Sequence, residues 1–347
     1  MRILIVGTQN VPWMAAGWGR ALREMGQDVT LWDWTPFFSP GPLRRVEQRY
    51  LLGPGVVRAN RALVAFTQQQ RPDIVLLYGA WPIWPSTVRS LAQIAWVAGY
   101  HNDDPFGGFG KKAYFRYWKQ ALPEFHSHHV FRQVNVEDYL AAGVLRVKVL
   151  LPFYIPWLHV RPELTAHEWG QLGSDVVFVG HGENDRRIEH VVALLEAGIK
   201  VRLLGDPVGW KKYLPRPVFD RLQPIQPVLG VDYCRAIAAG KVVLSFFSTG
   251  NRDTATFRVF EIPALGGFMM CQRSPLMKEL FREDSEAVYF SSPQELVDKC
   301  QFYLAHDDLR REIANKGHDR CVTSQHDIHS RMKQWSDDQQ AWMLTSA

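Results

Sequence analysis

The stretch DTATFRVFEIPALGG, Asp253 to Gly267, reads as a helix with a carboxylate at each end and two glycines as its stop. Phe257, Phe260 and Ala264 recur at helical spacing and face a core, while Arg258 and Glu261 point away from it. Asp253 and Glu261 stand eight positions apart, a little over two turns, so both carboxylates fall near one edge of the helix. The polar loop Ser248-Thr249-Gly250-Asn251 precedes this run and Thr254 opens it. Backbone N–H groups at a helix N-terminus bind anions, so the residues fit a phosphate and sugar site. The same spacing also fits a surface helix with a solvated Arg–Glu pair.

Outward from this stretch, apolar strand patterns alternate with helical ones. In the first half strands are expected at residues 2–6, 29–32, 74–78, 94–98, 129–133 and 147–150, with helices at 15–25 and 136–142. The second half repeats the scheme, with strands at 176–180, 200–204, 242–246, 268–271 and 287–290 and helices at 188–197, 233–239, 293–305 and 308–316. Such alternation gives parallel sheets covered on both faces. Two prolines, Pro152 and Pro156, break the pattern between the series and mark a linker. The expectation is an α/β chain of two doubly wound, Rossmann-like lobes with an interdomain cleft. Residues 1–155 form the first lobe, 156–323 the second, and 324–347 a final helical segment returning to the first.

A chain of 347 residues is long for one core and comfortable for two domains. With 46% hydrophobic and 22% charged residues it has an ordinary globular composition. No apolar run reaches the length of a membrane span and the chain opens directly on a strand pattern, so a cytoplasmic location is expected. Cys234, Cys271, Cys300 and Cys321 show no C-x-x-C spacing, which argues against a disulfide framework or zinc site. Residues 1–150 hold 17 Lys+Arg against 10 Asp+Glu, a net +7, leaving −2 for the remainder. A basic first half fits an anionic partner, be it an acceptor, a membrane surface or a nucleic acid, and it also fits an accident of composition. Gly7 and Asp33 follow the first two strands, yet Thr8-Gln-Asn-Val-Pro12 replaces the glycine fingerprint of a dinucleotide site, which argues against a nicotinamide enzyme.

The run FRVFEIPALGGF resembles the R-T-F-E-I-P-A-x-G-G-F signature of CgeB-like (spore maturation protein CgeB) glycosyltransferases, relatives of the retaining group-1 family. The resemblance covers mainly residues 175–320 and implies the GT-B fold, a nucleotide-sugar as co-substrate, and transfer to a hydroxyl acceptor with retention and without an essential metal or other cofactor. By the same resemblance Glu261 meets the ribose and Asp253, an aspartate where the family has glutamate, meets the donor sugar. In FVGHGENDRR the strand ends at Gly180; His181 stands where the family has arginine, and Arg186 where it has lysine. Arg186, Arg187 and Arg258 would neutralise the diphosphate, although arginines also commonly solvate a helix face. Gly205 and Tyr233 are donor-side expectations from their places at strand and loop ends.

On the first lobe, YHNDDPF ends a strand in a polar turn, and the resemblance implies a catalytic, acceptor-facing role for His101, Asp103 and Asp104. A carboxylate there could take the acceptor proton; an Asx turn before Pro105 is the plain alternative. The loop 8–19, with Gly17 and Trp18, is expected to shape the acceptor side. Lys111 and Lys112 open KKAYFRYWK, where basic and aromatic residues interleave as for phosphates and flat rings, or as on an ordinary amphipathic helix. His126, His128 and His129 lack the partners of a zinc site. The acceptor stays open between a glycan, protein or metabolite and hydroxymethylated bases in DNA, and a non-catalytic sugar-nucleotide binding module is a further alternative.

Overall fold

The computed structural model describes residues 1–9, 11, 14–109 and 113–345, and the chain divides into two compact units. The first comprises Met1–Leu151, Gly250–Arg252 and Ile328–Ala347; the second comprises Pro152–Thr249 and Asp253–Asp327. The boundary after Leu151 lies a few residues before the expected one, and the three-residue tip Gly250–Arg252 belongs with the first unit although its flanks belong to the second.

The first unit runs β1 (Arg2–Val6), α1 (Ala15–Glu24), β2 (Asp28–Trp32), α2 (Pro42–Tyr50), α3 (Pro54–Gln70), β3 (Ile74–Tyr78), α4 (Pro85–Ala92), β4 (Trp96–His101), α5 (Phe115–Ala121), β5 (Ser127–Val130), α6 (Val134–Ala141) and β6 (Val147–Val149), and it is completed by α16 (Ile328–Leu344). Its sheet has the order β2-β1-β3-β4-β5-β6 with every pairing parallel. Central strands of a sheet covered on both faces must be apolar throughout, and every residue of β3 is buried. Strand β5 breaks that rule with SHHV, also wholly buried. Helix α16 answers two of its residues: Gln339 Oε1 accepts from Ser127 Oγ at 2.7 Å and Trp96 Nε1 at 2.8 Å, and Asp338 meets His129 Nε2 at 3.0 Å, while neither ring nitrogen of His128 has a partner among the described residues. This polar strand lies two residues earlier than its expected place because its pairing follows Ala98–His101 of β4 rather than an apolar run.

The second unit runs α7 (Ala166–Leu172), β7 (Ser174–Val179), α8 (Arg187–Glu196), β8 (Val201–Leu204), α9 (Pro207–Tyr213), α10 (Arg216–Arg221), α11 (Gly230–Ala238), β9 (Gly240–Ser245), α12 (Arg258–Ala264), β10 (Met269–Gln272), α13 (Pro275–Leu280), β11 (Val288–Phe290), α14 (Pro293–Ala305) and α15 (Asp307–Thr323). Its parallel sheet has the order β11-β10-β9-β7-β8. Serines start two of its helices: Ser274 Oγ accepts from Met277 N and Ser292 Oγ from Glu295 N, satisfying donors that a helix start leaves free.

Both sheets are doubly wound. In each, the first strand lies between the second and third, so the connections on its two sides leave in opposite directions, β1 with β2 and β3 and β7 with β8 and β9. The carboxyl ends of strands at such a switch point form a crevice for ligands.

Candidate functional site

In the second unit the switch point lies between β7 and β9. The turn after β7 approaches the turn after β8 so closely that both need glycine. Gly205 has φ +133°, and a Cβ there would stand 2.3 Å from the Gly180 carbonyl oxygen; a Cβ on Gly209 would stand 2.1 Å from that of Gly182. Trp210 Nε1 donates to the same Gly180 oxygen at 2.9 Å, fixing the turn. Gly205, expected as a donor contact, is thus a packing residue that places Gly180.

Of the arginines in this turn, Arg187 is spent internally. Its Nε and Nη2 each donate to Asp185 at 2.7 Å, and its Nη1 donates to the His181 carbonyl at 2.7 Å and meets Glu183 at 3.1 Å. The Arg187 side chain is 4% exposed, so it holds the loop rather than greeting a ligand, a correction to its expected diphosphate role. Arg186 is open to solvent, with Glu189 at 3.6 Å and the Ser291 carbonyl at 3.4 Å beside it, and His181 is exposed as well.

The helix expected over 253–265 is shorter. It starts at Arg258, because Asp253 closes a turn with Ser248: its backbone N–H donates to the Ser248 carbonyl at 3.0 Å and its Oδ2 accepts from Ser248 N at 3.2 Å. Asp253 and Glu261 therefore do not share one helix edge. Ser248 also donates from Oγ to Glu183 at 2.5 Å, tying the β9 turn to the β7 turn. Thr249 and Thr254 are exposed beside it.

Arg258 opens α12 with its guanidinium 5.8 Å from the Phe178 ring, and a Cβ on Gly180 would lie 3.4 Å from its Nη2. Its Nε is buried with no hydrogen-bond partner among the described residues. One turn on, Glu261 Oε2 accepts from Tyr233 Oη at 2.6 Å, and Oε1 stands 3.6 Å from His159 Nε2. Burial, reinforced by the Glu261 charge, pushes the Tyr233 phenol far above its ordinary range, so it stays a donor. Burial lowers the His159 imidazole against the pull of Glu261, and its Nδ1 accepts from Ile155 N at 2.9 Å, which puts the proton on Nε2 facing the carboxylate. One neutral donor, Tyr233, thus holds a carboxylate that the His159 N–H faces from 3.6 Å, and the Glu261 side chain keeps 13% of its surface open. Tyr233 and Glu261 were read separately from the sequence; His159, 102 positions before Glu261, carried no local signal.

In the first unit a cavity of about 540 Å³ opens at the carboxyl ends of β1, β3 and β4. Trp34, Trp81, Tyr78 and Tyr114 supply aromatic walls, with His101 and Asp103 among its polar groups. Asn102 accepts from Tyr78 Oη at 3.2 Å, while Gln48 of α2 closes another side. His101 Nδ1 accepts from the Asp103 N–H at 3.0 Å, so the neutral ring carries its proton on Nε2, a buried atom without a partner among the described residues. Burial keeps the imidazole neutral in spite of Asp103. His101 is a hydrogen-bond donor here rather than a base.

Asp103 is half-exposed, with Oδ1 3.3 Å from Asn251 Nδ2. Asp104 differs. It is fully buried; Oδ1 accepts from Phe106 N at 2.9 Å and Asn135 Nδ2 at 2.8 Å, and Oδ2 accepts from Arg252 Nε at 2.5 Å. Burial pushes its carboxyl up, but the Arg252 and neighbouring hydrogen bonds outweigh that and hold it below the usual range. With every oxygen engaged, Asp104 locks the loop in place and corrects its expected catalytic role. Gly250, expected on the donor side, sits instead against Phe109, where a Cβ would come within 2.5 Å of that ring.

Trp18 and Gly17 are buried in α1, with Trp18 packed on Tyr100 at 4.7 Å, Tyr78 at 5.3 Å and Trp335 at 6.2 Å. They are core, a correction to the acceptor-lining expectation. Lys111 and Lys112 lie outside the described residues. His126 accepts from Val97 N at 2.9 Å, His128 packs between Phe125 and Tyr139, and no group of metal-ligating side chains occurs among the described residues. No described helix is long and apolar enough to cross a membrane.

Residues 186–337 match the family model described as glycosyl transferase-like. No curated protein matches the chain in sequence. Among solved structures, sucrose-phosphate synthase from Thermosynechococcus elongatus aligns at TM-score 0.70 with 12% identity over 100% of both chains. Anabaena HepE in complex with UDP and glucose aligns at 0.65 with 13% identity over 100% of both chains. A glycosyltransferase from Rickettsia africae aligns at 0.65 with 11% identity, covering 99% of this chain and 98% of the other. The two parallel-sheet, Rossmann-like lobes are those of GT-B structures.

Proposed function

We propose that the protein transfers a sugar from a nucleotide-sugar donor, with the second unit holding the nucleotide and the first unit holding a hydroxyl acceptor. The observation that carries this reading is Glu261, a partly open carboxylate held by Tyr233 and faced by His159 one turn after Arg258. A carboxylate has about four lone-pair sites, so the Tyr233 hydrogen bond leaves capacity for vicinal ribose hydroxyls. Arg258 has a buried Nε without a partner among the described residues, and Arg186 is open to solvent; both supply fixed positive charge for a diphosphate leaving group. That HepE is described in complex with UDP and glucose favours a uridine diphosphate donor for this chain.

The first-unit cavity is the acceptor site in this reading. Its aromatic walls suit the apolar face of a sugar ring or another neutral alcohol, and Asp103 disfavours an anion such as DNA. His101 donates from Nε2 to a substrate oxygen, and Asp103 is the carboxylate available for the acceptor proton. Retention and metal independence belong to the proposal: cationic side chains, rather than a bound ion, carry the leaving-group charge.

A thermal-shift series with UDP, UDP-glucose and the GDP, ADP and dTDP sugars tests it, because a ligand of the native state raises the melting temperature. UDP compounds are expected to give the largest shift and Glu261→Ala to remove it. A wild-type protein indifferent to every nucleotide would overturn the reading.

A further inference from the structure

Helix α2, PLRRVEQRY, is built inside out. Its one buried residue is a carboxylate, Glu47, which accepts from Ser39 N at 2.7 Å, Ser39 Oγ at 3.1 Å and Gly55 N at 2.6 Å. Its apolar residues face solvent: Leu43 is 44% exposed, Val46 48% and Tyr50 53%, with Leu52 just beyond at 51%. A surface helix normally turns such residues to the core and is held by them. Here three hydrogen bonds to Glu47 anchor the helix, leaving the apolar stripe uncovered.

At 3.6 residues per turn, Leu43, Val46 and Tyr50 span about 60° of the helix circumference, with Arg49 about 90° to one side of their centre and Arg44 about 130° to the other. Arg45 lies beyond Arg49. All three arginines are exposed, and no ion pair among the described residues engages them. Glu47 is the single acidic residue between Gly41 and Leu52, and it is buried, so the exposed charge of this segment is wholly positive.

An apolar stripe with cations on both flanks matches a bilayer interface: the apolar side chains enter the acyl boundary and the arginines reach up to the headgroups. A nucleic acid would pair the arginines but leave Leu43, Val46 and Tyr50 in water. We propose that α2 docks the protein on an anionic membrane surface, with Leu43, Val46, Tyr50 and Leu52 as the inserted face and Arg44, Arg45 and Arg49 as the lipid-phosphate contacts. The inference is independent of the sugar-transfer reading. Gln48, about 170° from the stripe, lines the first-unit cavity, so the docked face is the side of α2 turned away from that cavity.

Vesicle flotation with the full chain tests it. Wild type is expected to float with phosphatidylcholine–phosphatidylglycerol vesicles, not with phosphatidylcholine alone, and to be released by added salt. Charge-neutral R44Q/R45Q/R49Q should lower partitioning about a hundredfold, at roughly fivefold per arginine near an anionic surface. The apolar variant L43S/V46S/Y50S should also abolish flotation. All six side chains are exposed, so melting temperatures and soluble-donor hydrolysis should be unchanged in both variants. Failure of wild type to bind the anionic vesicles, or equal binding by either variant, would overturn the proposal. So would a finding that the patch instead joins two copies of the chain or grips duplex DNA, shown by sedimentation or by retention on DNA without vesicle binding.

Discussion

At the strand ends of the first unit the lining is aromatic and mostly neutral: Trp34, Trp81, Tyr78 and Tyr114 around a His101 that burial keeps uncharged. At the strand ends of the second unit the lining is ionic, with Glu183, Asp185 and Arg187 clamped together and Glu261 and Arg258 set on the next helix. The two sheets share one winding pattern, so the difference comes from the residues at the strand ends and in the loops and helix starts that follow them. In the proposed reaction one unit must tolerate a range of uncharged oxygens, which wide flat surfaces allow. The other must fix a charged leaving group in one pose, which requires loops that cannot move.

The sharpest break of this comparison is Glu261→Ala. Hydrogen bonds to a charged partner are worth about 1.5–3 kcal/mol each, so losing two to the ribose should lower kcat/KM by at least about a hundredfold. Glu261→Gln keeps an acceptor for the buried Tyr233 hydroxyl and should retain the fold better; equal kinetics in wild type and Gln variant would remove the carboxylate from the site. Next comes Arg187→Leu, which strands the Asp185 carboxylate, 6% exposed, in the loop. Breaking a buried pair from one side costs about 3–5 kcal/mol, readable as a lower urea midpoint. A variant as stable as wild type would mean that the ionic clamp is ornamental. Gly205→Ala should cost about 1–3 kcal/mol, because its φ of +133° and the 2.3 Å approach to Gly180 both resist a side chain.

Smaller effects probe the first unit. Trp81→Ala should raise acceptor KM up to about tenfold, the worth of one aromatic contact, while nucleotide binding stays as it was. A matching loss of nucleotide affinity would merge the two roles that the comparison separates. Acid is the mildest perturbation. Burial lowers the pKa of His101, His128 and His159 in the folded protein, so folding favours their neutral forms. That contribution is complete above the unfolded value of about 6.5 and is lost as pH falls below it. The urea midpoint should fall between about pH 7.5 and about pH 5.5, and His128→Phe should flatten part of the fall.

What could be read from the chain divides along the same line as the physics. Buried parallel strands must be apolar whatever their function, so ILIV and IVLLY announce themselves. SHHV does not, because Ser127 and His129 are answered by Gln339 and Asp338, more than 200 positions away. Glu261, Arg258 and Tyr233 were legible as candidates, yet His159, which faces the carboxylate at 3.6 Å, was not. Asp103 and Asp104 are neighbours of one residue type, and only the fold tells them apart: Arg252, 148 positions on, takes up Asp104 and leaves Asp103 half-open. Asp253 lost its place on the helix to a local competitor, the Ser248 turn.

The three-part makeup of the first unit sets an order of assembly. As the chain leaves the ribosome, residues 1–151 emerge early, but Ser127, His129 and Trp96 wait for partners on α16. All segments of the second unit are out by Asp327, before α16 has been made. The unit that comes second in sequence can therefore finish first, and the unit that began first must keep a polar strand of its sheet without its tertiary partners through most of synthesis.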